Sequence, residues 1–346
     1  FENHFKKWGN TWVNENNGYP NTLFGHNIFY YPFFWLSKFI SIRSDIFAFL
    51  FHIFFNLITF YSFYYFINSI KSKITRKHKI IISFTYTVNI FTYYLFWYSF
   101  SYTPYAFGYM FFPFLFALLW NILNNQRNDS EKIKLFLLLP IFSFLSSISY
   151  SNVAFYFCSL SVFSYVFLLK IIFDRKDYIK KIYYFFSFCL IFSLFSIYSF
   201  FPGLISGLSL FFNPETTTIF YDNFSWIKNS ATNFPDPFFI NDSIDIMNTT
   251  RPWSYFSIIS FFLIFIAFYY SKKINNDQII ILILILILIF LMNKGINLLN
   301  TDSINEIFGT NILTVFRSSD KSSSYLQFFI IFIFLLIILN IENKKV

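Results

Sequence analysis

Charged residues are scarce in this sequence. Asp, Glu, Lys and Arg make up 12% of the 346 residues, while 56% are hydrophobic. About a quarter of the residues are charged in a typical soluble domain. Three long runs, 80–126, 135–169 and 182–214, contain no charged residue at all. Because one bilayer crossing takes about 20 helical residues, each run is long enough for one or two crossings. The composition excludes a soluble globular protein and indicates a polytopic helical membrane protein.

Cysteine and histidine are also rare, with two and four residues. Cys158 and Cys189 both lie in apolar runs, so the sequence offers neither a disulfide framework nor a cysteine-based zinc site. His52 and Asn56 lie one helical turn apart, either as polar packing residues or as partners across helices. No HExxH, GxSxG or glycine-rich phosphate loop is present. The sequence predicts no cofactor and leaves open the need for a divalent metal.

The sequence starts at Phe1 without a Met, and no basic region, apolar region and cleavage site open it. We therefore expect a fragment that lacks the N-terminus of the natural protein. Apolar runs bounded by charge predict an all-α chain with a single transmembrane domain over 1–346. Its nine predicted spans are 46–70, 80–100, 105–123, 135–149, 153–173, 182–201, 253–271, 279–293 and 325–341.

The orientation of these spans follows from Lys and Arg, which are in excess in short cytoplasmic loops. One alternate set of loops carries 17 of the 26 Lys and Arg residues, and the opposite set carries nine. The first set is predicted to be cytoplasmic. The segments 1–45, 202–252 and 294–324 then form the outer face of a multi-pass protein of the plasma membrane. The net charge of +9 is interpreted as a consequence of this orientation and not as nucleic-acid binding.

The first outer segment combines turn residues with spaced aromatic residues, among them Trp8, Trp12 and Tyr19. An aromatic stretch over 24–40, interrupted by Pro32, is predicted to be a helix that lies at the membrane interface. Two interpretations of the aromatic residues stay open. They either stack on a sugar or lipid head group, or they form the aromatic belt of the membrane boundary.

The second outer segment contains Trp226 and several acidic residues, which are Glu215, Asp222, Asp236, Asp242 and Asp245. A carboxylate in this loop is chemically suited to act as a general base or metal ligand. These five residues show no ligand-like spacing, however. Solvated loop charge is therefore the preferred interpretation.

The third outer segment ends with Arg317 and Lys321, which precede the last apolar span. Residues four apart share one face of a helix, and two cations at the membrane boundary suit a phosphate or diphosphate group. The alternatives are interfacial anchoring or ion pairs with acidic neighbours, namely Asp302, Glu306 and Asp320. Carboxylates that couple ion movement, typical of secondary transporters, are absent from every predicted span.

Three stretches resemble a known family. They are the Trp-rich segment with its Asn-Gly-Tyr-Pro turn at 17–20, the Phe-Ser-Trp-Ile stretch at 224–227, and Lys294-Gly295 followed by the Phe-Arg-Ser-Ser-Asp-Lys stretch at 316–321. Together with the layout of spans and loops, they are similar to GT-C class membrane glycosyltransferases, in particular the YfhO-like and arabinofuranosyltransferase-like branches.

The resemblance implies transfer of a sugar from a polyprenyl-phosphate carrier to an acceptor at the outer face. It implies an acidic catalytic base in the first outer loop, which is Glu2, Glu15 or a residue upstream of the fragment. Donor-phosphate binding is then expected at Arg317, Lys321 and Lys294, and substrate binding at Trp8, Trp12, Tyr19 and Trp226. The expected partners are membrane lipid and a polyprenyl-phosphate-linked sugar.

A non-catalytic function fits the same layout. The chain would then be a transporter of lipid-linked glycans, or a scaffold for proteins that handle them. A transporter is expected to show internal repeats and broken helices near the midplane. No convincing repeat is present in the sequence.

Overall fold

The computed structural model describes residues 12–13, 19–20, 39–40, 44–69, 74–88, 103–124, 128–151, 153–212, 280–283, 325 and 328–332. The chain divides into two compact units, Phe1–Leu208 and Ser209–Val346. Regular structure in the described residues is almost entirely helical. The predicted all-α class is thus confirmed for this part of the chain, with one short hairpin added.

The hairpin pairs two strands, β1 (Trp12–Val13) and β2 (Tyr19–Pro20). The strands are antiparallel, with Trp12 opposite Pro20 and Val13 opposite Tyr19. The sequence between them is Asn-rich and ends in Gly18, a composition typical of turns. Phe39 is the one residue of the predicted interfacial stretch 24–40 that the structure describes as helical.

The described part of the first unit contains six α-helices and a connecting 3-10 helix at Ser147–Ser151. The helices are α1 (Ser44–Ser69), α2 (Arg76–Thr87), α3 (Thr103–Leu123), α4 (Asp129–Ser146), α5 (Val153–Phe173) and α6 (Tyr178–Phe212), the last of which continues into the second unit. Helices suit such apolar segments because they pair every backbone polar group internally, which lipid requires. Thr75 caps α2 by accepting from the His78 N–H at 3.4 Å.

Four helical segments of the described residues are long and apolar enough to cross a membrane. They are Ala106–Leu123, Asp129–Tyr150, Phe155–Phe173 and Tyr178–Pro202. These segments agree with the predicted spans 105–123, 135–149, 153–173 and 182–201. Helix α1 overlaps the predicted span 46–70 as far as Ser69 and is not one of these four segments. The protein is therefore a multi-pass membrane protein by length and composition of its helices. The predicted span 253–271, and most of 279–293 and 325–341, lie outside the described residues.

Two helix boundaries differ from the predicted ones. The sequence predicts that an outer loop begins at about residue 202, but α6 continues to Phe212. Pro202 lies inside this helix, and the apolar residues that follow it are helical up to Phe212. The predicted span 80–100 begins with α2, which ends at Thr87. Residues 89–102 lie outside the described part of the chain.

For each pair of neighbouring helices, two contacts at different positions along the helices show whether the helices run in the same or in opposite directions. Helices α1 and α3 run parallel, as do α3 and α5, whereas the pairs α1 with α2, α3 with α4, and α5 with α6 are antiparallel. The parallel pairs show it in Phe55–Phe107 and Phe66–Phe116 for α1 with α3, and in Phe112–Phe163 and Trp120–Lys170 for α3 with α5. The antiparallel pairs show it in Phe63–Tyr86 and Asn68–Lys79 for α1 with α2, and in Phe167–Phe185 and Tyr156–Phe200 for α5 with α6. For α3 with α4 the pairs are Phe114–Phe142 and Gly108 beside Ser149, which directly follows α4.

Every Lys and Arg among the described residues consequently lies at the same end of this bundle. We call it the basic end; it comprises the last turns of α1, α3 and α5 and the first turns of α2, α4 and α6. Its cations are Arg76, Lys77, Lys79, Lys132, Lys134, Lys170, Arg175, Lys176, Lys180 and Lys181. This arrangement confirms that the described parts of the loops at 71–79, 127–134 and 170–181 share one side. The positive-inside rule assigns that side to the cytoplasm.

Helix α3 lies at the centre of the bundle and is buried along nearly its whole length. Gly108 lies where α3 meets the 3-10 helix and α5, with room for a methyl group in ordinary contact. A Cβ atom added there would lie 3.6 Å from Ser149 Cβ and 3.8 Å from Phe155 Cδ1. Small residues allow such close helix packing in membranes, where dispersion contacts replace the hydrophobic effect as the main attraction.

The second unit contains two short described helical stretches, 280–283 and 328–332. The first belongs to the predicted span 279–293 and the second to the predicted span 325–341. Helix is therefore confirmed for the described residues of the alternating Ile-Leu run, whose pattern also resembles a strand. Buried side chains in this unit are Ile280, Ile281, Tyr325, Phe328, Phe329, Ile330, Ile331 and Phe332.

Candidate functional site

Most of the residues that the sequence proposes for a site lie outside the described part of the chain. These are Glu2, Glu15, Trp8, Trp226, Lys294, Arg317 and Lys321. Trp12 and Tyr19 are described in their backbone, which belongs to the paired strands of the hairpin. The register pairs Trp12 with Pro20 and Tyr19 with Val13, so the two proposed substrate-binding positions belong to adjacent pairs of the hairpin and are not paired with each other.

The basic end contains polar interactions that are unusual for membrane helices, beginning with Lys181. This residue is 1% exposed. Its ammonium group donates to the Asp174 carboxylate at 2.9 Å and to the Asp174 backbone carbonyl at 2.6 Å. The turn between α5 and α6 is short, with Asp177 in the left-handed region at φ 53°. That turn lets a residue at the end of α5 bind one in the first turn of α6.

The carboxylate of Asp174 lies outside the candidate spans and remains charged over a wide pH range. Burial raises the pKa of this carboxyl. The hydrogen bond and positive charge of Lys181, together with the Lys176 backbone N–H, lower the pKa by more than burial raises it. The net result is a pKa below the ordinary value of an aspartate. The ion pair therefore persists at neutral pH and neutralises the buried ammonium group of Lys181.

Two more lysines at the basic end lie over aromatic rings. The Lys170 ammonium is 3.8 Å from the centre of the Trp120 ring, and the Lys132 ammonium is 4.6 Å from the centre of the Tyr184 ring. Tyr184 in turn donates to Asp129 Oδ1 at 2.8 Å. Such cation–π contacts stabilise a partly desolvated cation because the ring face carries negative charge density.

These contacts tie α3, α4, α5 and α6 together at one level of the membrane. Sequence reasoning used Lys132, Lys170 and Lys181 to orient the chain and missed their role in packing. One signal was present in the sequence. Lys170 and Lys181 directly flank the charge-free runs 135–169 and 182–214, where a cation must find a partner or extend to the interface.

The opposite end of the bundle contains a group of buried hydroxyls, which we call the hydroxyl cluster. The phenol group of Tyr150 interacts with the side chains of Ser146, Ser149 and Ser159. Ser149 Oγ also donates to the Ser146 carbonyl at 2.6 Å. All four residues are at most 2% exposed. The Ser146 and Ser149 hydroxyls donate to the Ser143 and Ser146 carbonyls at the end of α4, where helical hydrogen bonds run out, and Ser159 donates to the Tyr150 hydroxyl.

Aromatic rings border the hydroxyl cluster. Tyr150 packs edge-on against Phe192 with centroids 5.3 Å apart. Tyr156 stacks on Phe200 at 4.0 Å and forms a hydrogen bond with Ser193 at 2.6 Å. Hydroxyls and aromatic faces are the groups that recognise sugars. In this cluster, however, the hydroxyls satisfy one another and the backbone, so the observed role is in packing.

Metal and thiol chemistry has no assembled site in the described ranges. No three His, Cys, Asp or Glu residues come together there in a way that would hold a metal ion. Cys158 and Cys189 are free cysteines. Asn56 donates to the His52 carbonyl at 2.9 Å within α1. Of the two interpretations of this pair, the bond formed by Asn56 supports polar packing within one helix.

Comparison with known proteins gives no match for this chain, whether to family models, to curated proteins or to solved structures.

Proposed function

We propose that this multi-pass protein is a GT-C-like glycosyltransferase of the plasma membrane. It transfers a sugar from a polyprenyl-phosphate donor to an envelope glycan or lipid acceptor at the outer face. Glu2 or Glu15 acts as base on the acceptor hydroxyl. Lys294, Arg317 and Lys321 bind the donor phosphate, and Trp8, Trp12, Tyr19 and Trp226 contact the substrates.

The distribution of cations carries the proposal. Within the described residues, every Lys and Arg lies at the basic end, and the opposite end has none. The predicted topology places Lys294, Arg317 and Lys321 on the side of that opposite end. Membrane orientation accounts for cations at the basic end and does not account for these three. A phosphate ligand at the outer boundary does.

The chemistry of the two cations nearest the last predicted span supports the same ligand. Arg317 and Lys321 share a helix face if the last span begins before them. Arg presents a planar fork that fits two phosphate oxygens, whereas Lys adds a mobile point charge. Together they would stabilise the negative charge that develops on a lipid-phosphate leaving group.

The test is transfer from a radiolabelled polyprenyl-phosphate sugar by the natural full-length protein in liposomes. The double variant Arg317→Gln/Lys321→Gln should lose about 2–4 kcal/mol of transition-state stabilisation. That loss corresponds to a rate about 30-fold to about 1,000-fold lower. The matched control is Lys344→Gln/Lys345→Gln, which removes two cations from the predicted cytoplasmic end and should leave the rate unchanged.

Two results would overturn the proposal. If the parent protein transfers no sugar from any polyprenyl-phosphate donor, the glycosyltransferase assignment is wrong. If the parent is active and the Arg317→Gln/Lys321→Gln variant stays within about threefold of it, roughly 0.7 kcal/mol, these residues do not bind the donor. Expression level and membrane insertion are measured in parallel for every variant.

A further inference from the structure

The segment that leads into α2 has the highest net positive charge of the three loops at the basic end. Residues 71–79 contain five Lys and Arg residues and no acidic residue. The loop at 127–134 has two acids among three cations, and the loop at 170–181 has two acids among five cations. Their own carboxylates therefore compensate part of the charge in these two loops, whereas the charge of 71–79 is not compensated within the loop.

The helices that pack against α2 bring no carboxylate to this end. Helix α2 packs against α1 and α3, and the sequence has no Asp or Glu from residue 46 to 128. In the described part of the chain, the acids of the basic end are Asp129, Glu131, Asp174 and Asp177. Asp174 pairs with Lys181, Asp129 accepts from Tyr184, and Asp129 and Asp177 attract Lys132. Glu131 lies in the first turn of α4. These acids thus belong to the α4–α6 side of the basic end.

One contact fixes which cations of α2 face outward. The Lys79 ammonium donates to Asn68 Oδ1 of α1 at 2.7 Å, so Lys79 is turned towards the bundle. Arg76 and Lys77 are exposed. These two cations therefore form the charged part of the surface that α2 presents to its surroundings.

Apolar side chains continue this surface along α2. Ile80 and Ile81 lie one helical turn after Arg76 and Lys77, and Phe84 follows after another turn, so all five share one face. Ile81 is 50% exposed and Phe84 is 59% exposed. The face thus begins with cations at the membrane boundary and becomes apolar towards the membrane interior. A phospholipid has the same order of phosphate and acyl chains, whereas a free phosphate ion matches only the charged part.

We propose that the exposed face of α2 binds an anionic phospholipid of the cytoplasmic leaflet. Arg76 and Lys77 contact the phosphate, and Ile80, Ile81 and Phe84 contact the acyl chains. Clusters of Lys and Arg on the cytoplasmic side of a membrane helix attract anionic lipids, and the planar guanidinium of Arg fits two phosphate oxygens. This surface is at the opposite end from the proposed transferase site and does not depend on it.

Native mass spectrometry of the chain with added phosphatidylglycerol or phosphatidylcholine tests the affinity. Phosphatidylglycerol should bind more tightly. Arg76→Gln/Lys77→Gln should weaken its binding about 25-fold, since each cation near an anionic lipid surface contributes roughly a factor of five. The matched control is Arg175→Gln/Lys176→Gln, which removes an exposed Arg-Lys pair from the α5–α6 turn at the same end. The control should change the affinity less than about twofold, because acids already compensate part of the charge there.

Phosphatidylglycerol with a photoreactive diazirine in its acyl chain tests the position. Crosslinks mapped by peptide mass spectrometry should fall within 80–88, and their yield should drop in Arg76→Gln/Lys77→Gln but not in Arg175→Gln/Lys176→Gln. Equal losses of affinity in the two variants would mean unspecific surface charge and would overturn the site. So would an equal crosslink yield at 80–88 from photoreactive phosphatidylcholine. Inorganic phosphate that displaces phosphatidylglycerol at equal concentration would overturn the assignment of a lipid.

Discussion

Tyr86 and Tyr109 exchange hydrogen bonds, since each phenol hydroxyl donates to the backbone carbonyl of the other residue at 2.8 Å. Their rings stack with centroids 4.2 Å apart, and Phe63 stacks on Tyr86 at the same separation. Pro113 lacks an N–H, so the carbonyl four residues before it, that of Tyr109, loses its helical partner. Tyr86 lies in the last turn of α2, where carbonyls also lack partners within the helix. The two hydroxyls therefore replace hydrogen bonds that both helices lack.

The first prediction concerns this exchange. Tyr86→Phe removes the hydroxyl that donates to the Tyr109 carbonyl in an apolar interior and should lower the free energy of unfolding by about 1–2 kcal/mol. Unfolding is measured by titration with SDS in mild detergent. In a Pro113→Ala background the restored N–H can pair with that carbonyl, so the same change should have a clearly smaller effect. Equal effects in the two backgrounds would show that Pro113 is not the reason for the bond. Tyr61→Phe, at an exposed position on α1, is the control.

The ion pair of Lys181 and Asp174 should respond unequally to the loss of its two partners. Asp174→Asn leaves a buried ammonium group without its counter-charge and should destabilise the protein by about 2–3 kcal/mol, somewhat less than a fully buried pair. Lys181→Met leaves a carboxylate whose side chain is 47% exposed and can be hydrated. It should destabilise less. Lys180→Met, at the exposed neighbouring lysine, should stay within about 0.5 kcal/mol of the parent. The reverse order of the first two variants would contradict this account.

The same pair should give the protein a specific sensitivity to acid. The pKa of the Asp174 carboxyl is lowered in the folded protein, so its contribution to stability is complete above the unfolded-state value of about 3.9. The contribution is lost as the pH falls through the lower folded-state pKa. The stability difference between the parent and Asp174→Asn should therefore be constant from pH 7 to about 5 and shrink below about 4. A difference that persists unchanged at pH 3 would rule out this linkage.

Gly108 should tolerate a methyl group and nothing larger. The added Cβ would make ordinary contacts with Ser149 and Phe155, and Ala is favoured over Gly in a helix by about 1 kcal/mol. Gly108→Ala should thus be neutral or stabilising. Gly108→Leu should separate α3 from the 3-10 helix and lower stability by about 2 kcal/mol or more. Ser187→Leu, at an exposed position of α6, controls for added apolar volume. Equal tolerance of Leu at both positions would contradict the close packing.

The orientation of the bundle is tested by single-cysteine labelling after replacement of Cys158 and Cys189. An impermeant thiol reagent added to intact cells should label Ser230→Cys in the predicted outer loop. It should not label Lys176→Cys at the basic end. Lysis of the cells should make Lys176→Cys reactive, which is the control for access to the thiol. Labelling of Lys176→Cys alone in intact cells would reverse the orientation.

Several elements could be predicted because the distribution of apolar and charged residues along the chain determines them. Helix α3 ends at Leu123, before a polar stretch that starts at Asn124, and α5 ends at Phe173, before Asp174 and Arg175, so the apolar runs largely set their length. Successive spans cross the membrane in alternating directions, so the loops that carry the cations lie on the same side. The extension of α6 past Pro202 was not predicted because proline and glycine end helices in water, whereas lipid favours keeping backbone hydrogen bonds within a helix.

Other features depend on how helices meet, which a single sequence does not encode in a local pattern. Tyr86 and Tyr109 are 23 residues apart, and their exchange of hydrogen bonds depends on the relative position of α2 and α3 along their axes. The contact of the Lys132 ammonium with the Tyr184 ring becomes apparent only when α4 and α6 are placed side by side. The proposed site residues of the outer segments rest on sequence chemistry, and the hairpin register pairs Trp12 with Pro20 and Tyr19 with Val13 and so does not join them.

The length of α6 has a consequence for the membrane surface opposite the basic end. Its 35 residues span about 52 Å at 1.5 Å per residue, well beyond a hydrocarbon thickness of about 30 Å. A straight crossing would need a tilt of about 55°, outside the usual range of up to about 40°. The part up to Pro202 has 25 residues and fits with a tilt of about 35°. Proline removes the hydrogen bond that would resist a bend at this point. The last turns of α6 are thus free to lie along the lipid head groups, and the thickness of the membrane then determines how much of this helix is displayed there.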